Sequence, residues 1–420
     1  MSGIDFNSRI SYEPYHIYYD LTILNNDTTG TQRPPFLQFT DIRNSPYLMN
    51  PSDYFCSVVR FSLETPSLPV IIPQVQVGQA DPNLLVYSIT LAHPTLEPNG
   101  IQKYLSFVPQ SSVVLFPTPT SPVEPSALVN EYYYTFTYKP FIDMVNTALR
   151  SAWNDFITAH PIAGYTVANF PYLYWDEDAN IATWVVPQEL YETPTPNNPT
   201  PTLNAALAAA PIQVFMNAPL FNLFSSFTAF QNGFGNSGGT APMPTTFGRN
   251  WMMYFPNTVS TNPYLANTAT GAFSVLPSYG GKNCLRVSQE YPTTPLWNPV
   301  QSIVFTTSLL PIAPSIVSAP VLFGAGSSFS TAGNNSGISN ILTDLEVPLE
   351  KGWQNKPSIN YVPTAEYRLF DLNGNAPLSA IEISVNWKDT FGQVHQFRLA
   401  SGCNSSLKLM FRRKDFQGVL

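Results

Sequence analysis

The residues of this chain that could do chemistry are few, and their spacing argues against an active site. Its 420 residues include four histidines, His16, His93, His160 and His395, with no HxH or HxxxH spacing to set two imidazoles on one face. His16 falls on the polar parity of its strand and His395 on the apolar parity, so both read as hydrogen-bonded structural histidines. Three cysteines, Cys56, Cys284 and Cys403, form no CxxC pair for zinc and are too few for a disulfide framework. Cys403 shares the apolar parity of the final strands and reads as a buried thiol. The run Asp176-Glu177-Asp178-Ala179-Asn180 has carboxylates like those of a calcium loop, but lacks the glycine at position six and the bidentate glutamate at position twelve. It reads as a solvated hairpin tip. Gly324-Ala325-Gly326-Ser327-Ser328 is not the GxSxG elbow of a hydrolase. With Phe329 at the third glycine's place it is not a GxGxxG phosphate cradle either. These readings assign no catalytic residue, no metal ligand and no cofactor, and the chain is expected not to be an enzyme. A Ser-His-Asp triad of distant members stays open, because such triads are recognised by geometry rather than by spacing.

What the residues do specify is sheet. Ile381, Ile383, Val385 and Trp387 share one parity, and Glu382, Ser384, Asn386 and Lys388 the other. After the turn Asp389-Thr390-Phe391-Gly392, His395, Phe397 and Leu399 alternate with Gln396 and Arg398. Leu407, Leu409 and Phe411 then oppose Lys408, Met410 and Arg412. Successive side chains of a strand point to opposite faces, so each run predicts a half-buried antiparallel strand. Ile381, Ile383, Val385, Trp387, Phe397, Leu409 and Phe411 are the expected core and assembly residues. Further strands are predicted at 15–24, 54–63, 84–91, 102–107, 132–138, 212–215, 251–255, 284–289, 301–307 and 341–347. A hairpin is predicted over 172–175 and 181–186. In the 132–138 run, Tyr132, Tyr134, Phe136 and Tyr138 are expected to line one face.

One helix is predicted near 140–157. Phe141, Met144, Val145, Ala148, Leu149, Ala152 and Phe156 recur at steps of three and four, and Pro140 opens the first turn, where its missing N–H costs nothing. Long loops rich in Pro, Asn, Gly or Ser are expected at 108–128, 231–248 and 324–340, with a projecting loop at 192–211.

Composition supports many short strands joined by long turns. Charged residues are 11% against about 25% in ordinary domains, and the 41 prolines are about twice the usual share. Hydrophobic residues at 44% and aromatics at 14% leave ample material for a core. The length suits two β-sandwich regions, expected at 1–232 and 233–420. So weakly charged a surface suits a subunit covered by neighbours. A net charge of −8 and a first twenty residues holding only Arg9 argue against strong nucleic-acid binding. The basic cluster Arg412-Arg413-Lys414 is expected to be solvated, intersubunit or genome-facing. No signal peptide and no apolar run of about 18 residues occurs, so no membrane span is expected.

Three stretches carry a family resemblance. They are Tyr361-Val362-Pro363-Thr364-Ala365-Glu366-Tyr367-Arg368-Leu369, the strand over 381–389, and the ending over 408–416. They resemble the jelly-roll capsid proteins of small icosahedral DNA viruses, and segments 141–152, 212–227 and 290–307 are similar to the same group. The resemblance implies an all-β antiparallel jelly-roll sandwich that self-assembles into capsomers of an icosahedral shell. The expected place is the virion, with assembly inside the host cell. Its expected partners are further copies of itself and other capsid proteins. At this length two rolls, a double jelly roll forming a trimer, are expected. The competing architecture is one roll with a large inserted region, in a pentameric vertex or minor capsid protein. A carbohydrate-binding β-sandwich is the reading from another class.

Overall fold

The computed structural model describes residues 14–27, 34–76, 79–93, 100–109, 131–162, 166–187, 190, 211–231, 250–255, 284–317, 321–323, 329–331, 337–347, 358–362, 368–390 and 392–415. The chain divides into two compact units, Met1–Pro69 with Pro299–Leu420, and Val70–Asn298. The first unit opens with strands β1 (His16–Leu24), β2 (Gln38–Ile42) and β3 (Tyr54–Glu64). The second unit follows with β4 (Leu84–Ala92), β5 (Gly100–Ser106), helix α1 (Lys139–Ala159), β6 (Tyr172–Asp176), β7 (Ile181–Pro187) and β8 (Gln213–Asn217). It ends with α2 (Ala218–Leu223), β9 (Ala229–Gln231), β10 (Asn250–Met253) and β11 (Cys284–Ser288). The first unit resumes with β12 (Val300–Thr306) and the short strands β13 (Ser315–Val317), β14 (Val321–Phe323), β15 (Phe329–Thr331) and β16 (Gly337–Ser339). Then come β17 (Ile341–Glu346), β18 (Ser358–Tyr361), β19 (Phe370–Asp371), β20 (Ala380–Asp389), β21 (Val394–Gln396) and β22 (Asn404–Arg413).

In the first unit one sheet runs β1-β22-β3-β18, with β19 also on β3, and the other runs β17-β12-β20-β2, with β21 also on β20. Let the strands β1, β2, β3, β12, β17, β18, β20 and β22 be lettered B to I in chain order. The sheets then read B-I-D-G and C-H-E-F, the interleaved order of two Greek keys in a jelly roll. Phe61 of β3 meets Phe305 of β12 edge-on, ring centres 4.7 Å apart, so the two sheets pack face to face.

This is one roll, and residues 70–298 occupy the connection between its fourth and third lettered strands, β12 and β3. The second unit has a different order, β5-β4-β8-β10-β9 and β11-β7-β6. Of the two architectures open from sequence, the pairing among the described residues is that of one roll with a large insertion, not that of a double jelly roll. The double roll was expected from the resemblance taken at this length, and length is blind to pairing. The 232/233 boundary likewise falls inside the second unit, between β9 and β10, and Phe230 and Met252 pair across it.

Helix α1 forms where the apolar stripe predicts it, with Pro140 in its first turn, and buries Phe141, Met144, Val145, Leu149, Ala152, Trp153 and Phe156 against β4, β5 and β6. Trp297 sits at the centre of this core, with ring centres 5.1–5.7 Å from those of Phe224, Phe141, Tyr138 and Trp175. Side-chain amides finish the sheets. Asn146 of α1 donates to Leu173 O at 2.9 Å and accepts from Leu173 N at 2.8 Å, closing the edge of β6 as a strand would. Asn217 accepts from Ser88 N at 3.0 Å and donates to Val86 O at 2.7 Å, where the β4–β5 pairing is irregular.

The 132–138 run is not a strand. Residues Glu131–Tyr133 form a single 3-10 turn, Thr135 donates both its N–H and its hydroxyl to Ile71 O, and Tyr138 already caps α1. Tyr133 and Tyr138 are buried and Phe136 is exposed, because the chain must turn into the helix. Residues 192–210, 232–248, 110–128 and 324–328 lie outside the described residues.

Candidate functional site

The strand residues singled out by alternation lie inside the roll. Ile381, Ile383, Val385 and Trp387 are buried along β20, as are Phe397 after β21 and Leu409 and Phe411 along β22. Ile303 and Phe305 oppose Trp387 and Val385 on β12, and Phe61 and Cys56 oppose Leu407 and Phe411 on β3. Cys56 and Cys284 are buried, and burial pushes the Cys56 thiol up to about 12. Cys403 is only half-buried, because it lies in the turn before β22 that Gly402 makes at φ 78°.

The other parity of β20 is not simply solvent-facing. Glu382 and Asn386 are both 6% exposed. The Glu382 carboxylate accepts from Gln38 Nε2 at 2.8 Å, Ser384 Oγ at 2.6 Å, Ser308 N at 2.8 Å and Ser308 Oγ at 2.6 Å. Burial alone would raise its pKa, but these donors outweigh it and hold the carboxyl below its ordinary value. Such a carboxylate is a fixed junction between β2, β20 and the segment after β12.

At the end of β20, Asp389 is fully buried and accepts from Gln393 N at 2.8 Å, while its other oxygen meets His395 Nε2 at 2.8 Å. The His395 ring stacks on Trp387 with centres 4.3 Å apart. Here an acid–imidazole pair clasps a strand turn. Among the described residues no group of three or more His, Cys, Asp or Glu is placed to hold a metal ion. At the acidic hairpin tip Asp176 accepts from the backbone N–H groups of Asp178 and Ala179, and Asn180 takes φ 53°.

Sequence reading missed a second polar junction, at the rim between β1 and β2. Tyr19 and Tyr47 both donate their hydroxyls to Asp41 Oδ2, and Arg43 Nε reaches the same oxygen at 3.1 Å. The Arg43 guanidinium lies 4.8 Å and 4.9 Å from the two tyrosine ring centres. The Tyr19 and Tyr47 bonds, with Arg43, lower the Asp41 pKa. Burial, followed by the bond to Asp41, raises that of Tyr47. Only the three-dimensional rim gathers residues 19, 41, 43 and 47, so no spacing rule would have found them.

The basic cluster is tied into its own unit. Arg413 pairs with Asp415 and lies over the Tyr15 ring at 5.5 Å. Lys414 pairs with Asp371 at 3.0 Å and lies 5.4 Å from the Phe55 ring centre. Arg412 stands on the outer face of β22 opposite His16. Farther along this face Asp20 bridges Arg60 at 3.0 Å and Lys408 at 3.1 Å. A charged outer face on the β1-β22-β3 sheet over an apolar interior suits a building block. Among the described residues, no helix is long and apolar enough to cross a membrane.

Several proteins to which this chain is similar are components of virus shells. The family described as Sputnik minor capsid protein V18/19 matches residues 17–413. Structural protein V19 of Sputnik virophage is 28% identical over 213 residues, half of this chain and 85% of that protein. The uncharacterized protein V18 of the same virophage is 34% identical over 149 residues, 34% of this chain and 85% of that protein. A chain of the cryo-EM structure of the Sputnik virophage superposes with a TM-score of 0.69 at 26% identity, over 97% of this chain and 100% of that one. The mavirus penton protein shares the fold, with a TM-score of 0.57 at 15% identity over 95% and 99% of the two chains. The chain is a capsid structural protein of the virion and belongs to the Sputnik minor capsid protein V18/19 family.

Proposed function

We propose that this chain is the vertex subunit of an icosahedral shell, assembling five to a ring and performing no catalytic step. The observation that carries this reading is the single jelly roll. Pseudo-sixfold capsomers arise when three chains supply two rolls each, so the expected trimer rested on a second roll in the chain. One roll per chain suits a ring of five, formed when one surface patch of each copy meets a different patch of the next and the rotation closes. The shared fold with a penton protein supports the same place in the shell. Its partners are further copies of itself and the neighbouring capsid proteins. The acid–imidazole pair and the carboxylate junctions hold turns and strands in place, which supports a purely structural role.

Size-exclusion chromatography with light scattering on the full chain, at several concentrations, tests the ring. A mass near five chains of 46.5 kDa is expected. A three-chain mass, or a monomer at every concentration, overturns the vertex reading. Reproducible hydrolase activity that disappears in His395→Ala would overturn the non-catalytic one.

A further inference from the structure

Strand β1 is an edge of its sheet. β22 pairs with it along its whole length, and no strand among the described residues pairs on its other side. Arg413 N donates to Tyr15 O and Asn25 N to Cys403 O, so the odd-numbered residues of β1 turn their peptide groups to β22. In an antiparallel ladder the alternate residues, including Tyr18, Asp20 and Thr22, then turn theirs the other way. The apolar row is incomplete at the same edge. On β22 the inward residues Leu407, Leu409 and Phe411 are buried, whereas on β1 only Leu21 is, and Ile17, Tyr19 and Ile23 stay half-buried. An edge on which no described strand pairs at Tyr18, Asp20 and Thr22, beside a half-covered apolar row, is a template for one more strand.

The chain carries a segment of matching pattern. Ile4, Phe6, Ile10 and Tyr12 alternate with Asp5, Asn7, Arg9 and Ser11, interrupted in the apolar row by Ser8 alone. Residues 4–12 lie outside the described residues and enter by their sequence. They are nine residues, as many as β1 has. A hairpin back onto the same chain's β1 is disfavoured by Glu13-Pro14, because tight hairpin turns want Gly or Asn at positive φ and proline is fixed near −65°. The Pro14 carbonyl also accepts from the Tyr54 hydroxyl of β3 at 3.5 Å, so it faces the β22 and β3 side rather than the open edge.

We propose that in the assembled shell residues 4–12 of a neighbouring copy add as a strand to the open edge of β1. Ile4, Phe6 and Ile10 complete the apolar row over Ile17, Tyr19 and Ile23, and the polar residues line the outer face beside Tyr18, Asp20 and Thr22. This rests on copies meeting in a shell, as proposed above, but not on their number.

The test is a mixed cross-link in a Cys403→Ser background, which leaves only the buried Cys56 and Cys284. Full chains carrying Thr22→Cys are assembled one to one with chains carrying Asp5→Cys, Asn7→Cys or Arg9→Cys, then mildly oxidised. A disulfide-linked pair of chains is expected from at least one mixture, at least tenfold above either chain alone. Assembled particles with no mixed link, or a Thr22→Cys/Asn7→Cys chain that closes only on itself, overturn the exchange. Should the variants not assemble, hydrogen exchange on the unaltered chain decides. Amides of β1 are expected to exchange at least tenfold more slowly on assembly, and unchanged exchange overturns the proposal. Light scattering on the same samples counts the ring. Rings of five without the link therefore sink the exchange alone, and linked particles of another count sink the vertex reading alone.

Discussion

In the first unit each sheet covers the other, and Phe61 against Phe305 marks where they meet. In the second, helix α1 covers strands β4, β5 and β6, and the indole of Trp297 fills the space among four aromatic rings. A sandwich needs strands with an apolar face each, and the sequence of β20 and β22 carries that face as plain alternation. A helix-covered sheet leaves curved edges and odd gaps, which are closed by single side chains such as Asn146, Asn217 and Gln289. The roll distributes its stability along rows, whereas the inserted unit concentrates it at points.

The largest expected effect follows from that contrast. Trp297→Ala removes the hub of the inserted unit and the bond from its Nε1 to Leu223 O at 2.5 Å, and is expected to cost roughly 3–5 kcal/mol. Leu223 O keeps the Thr293 hydroxyl at 2.6 Å, so that carbonyl is not orphaned. Trp387→Ala in the roll removes the ring beneath His395 and should fall near the lower end, about 3 kcal/mol, because neighbours along the row remain. Chemical denaturation of both variants measures the difference. A clearly larger loss for Trp387→Ala would mean that the roll too depends on one point.

Glu382 sharpens the comparison from inside the roll. Its carboxyl is held below its ordinary value of 4.5 in the folded chain. A depressed folded pKa contributes stability that is fully present above the unfolded value and is lost as pH falls through the folded one. The protein should therefore weaken as pH drops below about 4.5, and Glu382→Gln should lack that component. At neutral pH the variant is expected to lose about 2–3 kcal/mol, because donors aimed at two charged oxygens then meet an amide. Melts between pH 3 and 7 check both statements.

How much could be read from sequence divides along the same line. The row Ile381, Ile383, Val385, Trp387 and the helix stripe from Phe141 to Phe156 were legible because their periods are local. That Glu382 and Asn386 are buried was not, because alternation names the apolar face without saying whether the other face is open. Gln38 and Ser308, which hold Glu382, lie 344 and 74 residues away in sequence. The insertion was hidden for the same reason. The composition change near 231–248 marks a connection inside the second unit, while the real joints at Pro69 and Pro299 look like any other loop. Tyr132 to Tyr138 misled because an aromatic run alternates as well in a turn leading to a helix as in a strand.

Asn146→Ala tests the point-closure idea at a smaller scale. It removes a donor and an acceptor from Leu173 and is expected to cost about 2 kcal/mol, with faster hydrogen exchange confined to β6 and its neighbours. Asn146→Asp keeps the acceptor for Leu173 N but repels Leu173 O, so it should lie close to the alanine variant. Equal stability of Asn146→Ala and the parent would mean that the edge of β6 needs no closure.

The smallest effect is expected on the roll's outer row. Lys388 is half-buried on β20 next to Trp387, and Asp344 makes an exposed pair with Arg368 on the same sheet. Exposed pairs of this kind contribute about 0–1 kcal/mol, since two long side chains lose freedom for a bond that water and salt largely screen. Lys388→Ala and Asp344→Ala should each shift stability by no more than about 0.5 kcal/mol. Their value lies in a second readout. If either variant melts normally yet fails to form rings by light scattering, that face of the β17-β12-β20-β2 sheet is in contact with a neighbour, and its charges serve assembly rather than folding. If both assemble as the parent does, the intersubunit contacts lie elsewhere on the roll or in the inserted unit.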